Sequence, residues 1–167
     1  SMTDERDAEG NLLPDDVRLT EFGKKLRATS ADELPELINI FKGDMSVVGP
    51  RPQLVRDMVF FTEEEMKRQR VYPGLTGLAQ ICGRNNITWK EKFAFDLQYV
   101  KDINFFEDMR IIFRTVFKVS AQEDIATDGM ETAEDYGDWL LRTGQIQKEE
   151  YDKKQAEAKK MLDEFEG

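Results

Sequence analysis

Two short segments limit what this chain can fold into: GPRP at residues 49–52 and PGLTG at residues 73–77. Between them they hold three of its five prolines and three of its eleven glycines. Proline removes a backbone donor and glycine favours turns, so both segments read as loop and turn signals between the helices. Residues 20–28 read as a helix with Thr20 as N-cap. ADELPELINIFKG reads as a second helix, with Leu34, Leu37, Ile38 and Phe41 on its core side and Gly43 as its stop. DMSVV is a brief extended piece. VRDMVFFTEEEMKRQRV is helical in two parts, the second capped by Thr62, and LAQIC between glycine turns reads as a short strand or hairpin. TWKEKFAFDLQYVKD and FFEDMRIIFRTVFKV make two amphipathic helices. TAEDYGDWLLRTG is helical to Gly144, and the last helix carries a stripe of Tyr151, Ala158, Leu162 and Phe165. The expected class is α+β, mostly helical, with a short β-hairpin or strands around 46–50 and 71–83.

At 167 residues the chain suits one domain with an appendage. Its net charge of −10 is unevenly spread. Residues 1–16 carry six acids and one base, residues 121–167 fourteen acids and six bases, and the middle fourteen acids and seventeen bases. A mildly basic centre suits a small anionic substrate such as a nucleotide or phosphate, and the acidic total argues against nucleic-acid binding. The chain has no histidine, which excludes Ser-His and Cys-His nucleophile pairs and histidine-ligated zinc. Acid–base or covalent chemistry is left to Asp, Glu, Lys, Tyr or Cys82. That single cysteine forms no internal disulfide and is read as a small buried hydrophobe. No apolar run approaches the length of a membrane span. The Ser-Met start and polar opening read as a cut fragment whose own N-terminus lies upstream.

The stretch TSADELPEL admits two readings. Ser30 followed by Glu33 has the spacing of a capping box, and Asp32 would itself serve as an N-cap with its charge favoured by the helix dipole. Alternatively Asp32 and Glu33 are chemical groups. Adjacent helical residues point about 100° apart, so they would not share one proton; one would attack while its neighbour holds a metal or a water. Arg51, between two prolines, is a guanidinium on a stiff loop, suited to bidentate phosphate recognition or merely to an exposed turn. GRN at 83–85 offers a flexible backbone, a cation at Arg84 and an amide at Asn85. Arg27 stands one turn before the acids, where the default is a cation at a helix C-terminus. On the helix near 105–119, Phe106, Met109, Phe113, Val116 and Phe117 form an apolar stripe beside Arg110, Arg114 and Lys118. Packing into the core is the simpler account of that stripe, a membrane surface the other.

Taken in order, these pieces form one series: LR…DELP…KGDMS…VGPRP…PGLTGLAQICGRN…W…F..D..YV. From about residue 15 to about 119 it resembles the catalytic domain of the bacterial sugar transferases known as monotopic phosphoglycosyl transferases. The resemblance implies transfer of a sugar-1-phosphate from a UDP-sugar to a polyprenyl phosphate at the cytoplasmic face of the inner membrane. The products would be polyprenyl-diphosphate-sugar and UMP, opening assembly of an exopolysaccharide, capsule or other surface glycan. It implies Mg²⁺ and a covalent phosphosugar-enzyme. Carried over by position, Asp32 would be the nucleophile and Glu33 the Mg²⁺ ligand. Arg27 would bind the polyprenyl phosphate, Arg51 the phosphate or phosphosugar, and Arg84 and Asn85 the nucleotide-sugar, with Asp96 a further substrate-binding position. A carboxylate needs no activating base, so a histidine-free chain can still do covalent catalysis.

On this resemblance residues 1–16 are an acidic lead-in, 17–120 an N-terminally truncated catalytic domain and 121–167 an acidic helical extension. The upstream membrane segment of the family is missing, which leaves turnover by the fragment itself in question, and Ala31 stands where the family often has leucine. The donor sugar is not legible in the loops, and a homo-oligomer is left open. Two other classes remain: a non-catalytic anion-binding or scaffold module, in which Asp32 and Glu33 only start a helix, and a soluble Mg²⁺-dependent nucleotide hydrolase.

Overall fold

The computed structural model describes residues 3, 5–6, 13, 15–28, 31–83, 87–121 and 134–166. In chain order the elements are α1 (Asp15–Arg18), α2 (Glu21–Ala28), a 3₁₀ turn (Ala31–Glu33), α3 (Glu36–Lys42), β1 (Ser46–Val48) and α4 (Val55–Met58). A 3₁₀ helix (Glu65–Arg70), β2 (Gly74–Thr76), α5 (Leu78–Cys82), α6 (Trp89–Lys101), α7 (Phe105–Ala121), α8 (Tyr136–Arg142) and α9 (Lys148–Glu166) complete it. The chain is therefore mostly helical with a little β, as its pattern implies.

The two strands pair in parallel, Ser46 opposite Gly74 and Val48 opposite Thr76. A tight hairpin cannot join parallel strands; here the crossover carries α4 and the 3₁₀ helix. The glycine–proline segments that interrupt the sequence meet at this crossing. A Cβ on Gly74 would lie 2.1 Å from the Gly49 nitrogen, and one on Gly77 2.2 Å from the Gly49 carbonyl oxygen. Glycine there lets two backbones touch. Hydrogen bonds from the Gly49 amide to the Thr76 carbonyl (2.9 Å) and from the Gly74 amide to the Pro50 carbonyl (3.0 Å) close the contact.

Several local signals act where the sequence places them. The Gly23 amide donates to Thr20 Oγ1 at 2.9 Å, the expected cap of α2. Thr62 and Glu65 bond reciprocally at the head of the 3₁₀ helix. Gly43 ends α3 in the left-handed region at φ 84°, as Gly144 does beyond α8 at φ 69°.

Other expectations are corrected. LAQIC is helical, not a strand or hairpin: as α5 it places Leu78 and Ile81 one turn apart, both buried, which an alternating strand would not do. Cys82, at its end, is exposed rather than buried. The helix expected over 31–42 begins only at Glu36, with Pro35 at the cap position and no side-chain cap. A residue before proline is pushed out of the helical region, so the acids fall in a separate 3₁₀ turn; Ser30 lies outside the described residues. Leu34, Leu37, Ile38 and Phe41 do not face a core; all are exposed, Phe41 by 90%. On α7, Phe106, Phe113, Val116 and Phe117 are likewise exposed, while Ile111 turns inward and is fully buried.

Among the described residues two cores form. Val48, Leu78, Ile81, Tyr99 and Ile111 form one, at the junction of β1, α5, α6 and α7. Phe60, Trp89, Phe93, Tyr136 and Leu140 form the other, with Phe61, Trp139 and Tyr151 against it. The second draws on α8 and α9 as well as on α6 and the crossover. Lys154 and Gln155 of α9 donate to the carbonyls of Val59 and Arg56, so α9 lies along α4. Its stripe is packed at Tyr151 and Ala158 but runs out to solvent at Leu162 and Phe165. Among the described residues no helix is long and apolar enough to cross a membrane.

Candidate active site

Asp32 and Glu33 occupy the 3₁₀ turn between α2 and α3. A 3₁₀ turn has three residues per turn, so the two side chains leave it about 120° apart. Glu33 meets the GPRP loop: Arg51 Nη1 donates to Glu33 Oε1 at 3.0 Å. Both side chains stay partly open, at 44% and 27% exposure. One turn on, Glu36 joins them. Burial pushes its carboxyl above the ordinary 4.5, the charges on Glu33 and Asp32 push the same way, and Arg51 opposes them. Its Oε2 is buried with no hydrogen-bond partner. Sequence reasoning overlooked Glu36, although it sits three residues after Glu33 in DELPEL.

The remaining carried-over positions divide. Arg27 lies in the last turn of α2, and its side chain is outside the described residues. Arg84 and Asn85 are also outside them. Asp96 is described and stands apart from the acids: its carboxylate is 6% exposed and paired with Arg68. Arg68 Nε and Nη2 both donate to Asp96 Oδ2, at 2.9 and 2.7 Å. Burial raises the Asp96 carboxyl from its ordinary value, against the opposing charges of Arg68 and Lys92. Arg68, in the run EEEMKRQR, had no sequence signal to separate it from its neighbouring cations.

A groove of about 240 Å³ opens beside Glu33. Val47 and Leu75 of the strands line it with Leu34, Leu37, Ile112, Val116 and Val119. Thr76 Oγ1 donates to Thr115 Oγ1 there at 2.7 Å, and Thr115 Oγ1 donates in turn to the Ile111 carbonyl at 2.9 Å. Leu37 of α3 and Val116 of α7, both exposed, thus share a groove wall with the Glu33 carboxylate.

The donor set fits a hard cation only in part. Among the described residues no group of three or more Asp, Glu, His or Cys side chains is placed to hold a metal. Mg²⁺ takes one or two carboxylates and completes its shell with waters and substrate phosphates. Glu33 and the unpartnered oxygen of Glu36 are oxygen donors of that kind.

The profile of the bacterial sugar transferase family matches residues 1–122. The chain is 52% identical over 134 residues to the uncharacterized sugar transferase EpsL of Bacillus subtilis, an alignment covering 80% of this chain and 66% of that protein. It is 40% identical over 112 residues to the undecaprenyl-phosphate galactose phosphotransferase of Salmonella typhimurium, covering 67% of this chain and 23% of that protein. It is 43% identical over 114 residues to the UDP-glucose:undecaprenyl-phosphate glucose-1-phosphate transferase of Klebsiella pneumoniae, covering 62% and 24% respectively. The chain therefore spans less than two thirds of EpsL in the first alignment and about a quarter of the other two relatives. The matched residues contain the acidic 3₁₀ turn, the GPRP loop and the crossing of the two strands. The chain belongs to the bacterial sugar transferase family.

Proposed function

We propose that this chain carries the catalytic centre of a transferase moving a sugar-1-phosphate from a UDP-sugar to a polyprenyl phosphate. The names of the Salmonella and Klebsiella relatives, which differ in the sugar, support the reaction class and leave the sugar open. The observation that carries the reading is the Glu33–Arg51 pair, beside Asp32, with Glu33 lining an apolar groove. Charge for a phosphate and an apolar path for a lipid chain converge there.

In the proposed sequence an Asp32 carboxylate oxygen attacks the sugar-bearing phosphorus. The bond from that phosphorus to the bridging oxygen breaks, and its electron pair leaves with UMP. An oxygen of the polyprenyl phosphate then attacks the same phosphorus, releasing Asp32 as a carboxylate and forming polyprenyl-diphosphate-sugar. Both nucleophiles are already anionic, so neither step needs a general base, which suits a site without histidine. Arg51 would take the charge developing on the phosphoryl oxygens. Glu33 and Glu36 would hold Mg²⁺, which when bound neutralises charge on the departing UMP. The exposed apolar residues of α3 and α7 suit work at a lipid surface, and we place that surface on the cytoplasmic side, where UDP-sugars occur.

The experiment is intact-mass analysis of the full-length protein with Mg²⁺ and a panel of UDP-sugars. A phosphosugar adduct on the peptide holding Asp32, absent from Asp32→Asn, is expected. Turnover by Asp32→Asn close to wild type refutes the nucleophile. Release of free sugar phosphate without a lipid acceptor would instead identify a hydrolase. The helix-starting role is less well supported, because α3 begins beyond both acids and takes no cap from a side chain.

A further inference from the structure

Arg68 and Asp96 are the most deeply buried ion pair among the described residues, at 4% and 6% side-chain exposure. The guanidinium lies against an edge-to-face pair of aromatic rings, its carbon 5.8 Å from the Phe61 centroid and 5.9 Å from that of Phe93. Buried pairs of this kind contribute little net stability, since desolvation offsets attraction, so stability alone does not account for this one. Here the geometry has a third member. Besides Asp96, Arg68 Nη2 donates to the backbone carbonyl of Arg51 at 2.7 Å. The residue whose side chain reaches Glu33 is thus also held by its own carbonyl.

We infer that Arg68 and Asp96 are positioning residues that fix the GPRP loop, so that the Arg51 guanidinium projects toward Glu33. The inference rests on the proposed role of Arg51 at the donor phosphate. Asp96 orients the fork of Arg68 and has no open face toward a substrate. Pro50 and Pro52 stiffen the loop but offer no amide to hold it, so an external donor sets its direction. Lysine could not replace Arg68, because one ammonium on a flexible stem does not reach both the carboxylate and the carbonyl as a planar fork does.

Two measurements on the full-length protein test this, using Arg68→Lys and Asp96→Asn to limit the loss of folding. The first is amide hydrogen exchange. Exchange of a peptide covering 49–56 should rise about tenfold in Arg68→Lys, while peptides of α7 stay within about twofold of wild type. Unchanged protection of 49–56, or loosening spread equally over α7, overturns the inference. The second is a double-mutant cycle on UMP release. Arg68→Lys should raise the KM for UDP-sugar about tenfold alone, but less than about twofold in an Arg51→Ala background. An equal effect in both backgrounds means the pair does not act through Arg51 and overturns the inference. If wild type releases no UMP from any UDP-sugar, the transferase reading fails, and the exchange measurement still decides whether the pair holds the loop.

Discussion

Replacing Gly74 by alanine isolates the crossing on which the site is built. The added Cβ would stand 2.1 Å from the Gly49 nitrogen, 2.6 Å from the Gly49 Cα and 2.6 Å from the Thr76 oxygen. All three are backbone atoms, so no side chain can rotate away and the two strands must part. Three bonds are strained together: the Ser46 amide to the Pro73 carbonyl (2.8 Å), the Gly49 amide to that of Thr76 (2.9 Å) and the Gly74 amide to that of Pro50 (3.0 Å). At about 0.5–1.5 kcal/mol each the expected loss is about 2–4 kcal/mol. With a urea slope of about 2 kcal/mol per molar, that moves the unfolding midpoint down by about 1–2 M. Gly144→Ala is the control, since nothing lies within 4 Å of its Cβ and only its φ of 69° is unfavourable; its loss should be about 1 kcal/mol. Urea titration followed by tryptophan fluorescence reads both. A Gly74→Ala midpoint within about 0.3 M of wild type would mean that the crossing is not close-packed as described.

Arg51→Ala breaks a partly exposed ion pair, so its stability should change by no more than about 1 kcal/mol while UMP release falls at least about a hundredfold; a large shift in melting temperature with activity retained contradicts the assignment. Val116→Asp puts a charge in the groove at a position that is 60% exposed. Adduct formation from UDP-sugar should persist, while the KM for polyprenyl phosphate rises about tenfold or more, and an unchanged acceptor KM would remove the groove from the acceptor's path. Asp57 has its carboxyl raised above 3.8, first by burial and then by the charge of Asp135. The folded state therefore binds its proton more readily than the unfolded chain, so Asp57's contribution to stability falls as pH rises from 3.8 through the raised value. Urea midpoints measured across that window should decline less steeply in Asp57→Asn; an identical slope shows that Asp57 does not titrate as described.

Much of the local structure was legible in the chain. Thr20, Thr62, Gly43 and Gly144 act through hydrogen bonds and backbone preferences that span only a few residues, so their neighbours reveal them. The ordered motif series likewise placed the acids and the GPRP loop in one family. Misreadings arose where a local pattern has two outcomes. LAQIC is apolar enough for a strand, and only the site at which Leu78 and Ile81 are buried makes it a helix. Leu34, Ile38 and Phe41 have the spacing of a core face, yet periodicity does not say whether anything covers that face.

By itself the sequence determined where several helices start and stop, that any chemistry here is without imidazole, and which family the chain resembles. The tertiary structure decided which of the charged residues meet. Arg51 finds Glu33 across eighteen positions of chain, and Arg68 finds Asp96 across twenty-eight. Such pairings depend on how the crossover carries the GPRP loop past β2, a property of the folded chain rather than of any short window. The same holds for Glu36, whose raised carboxyl follows from the burial and the charges that folding gathers around it.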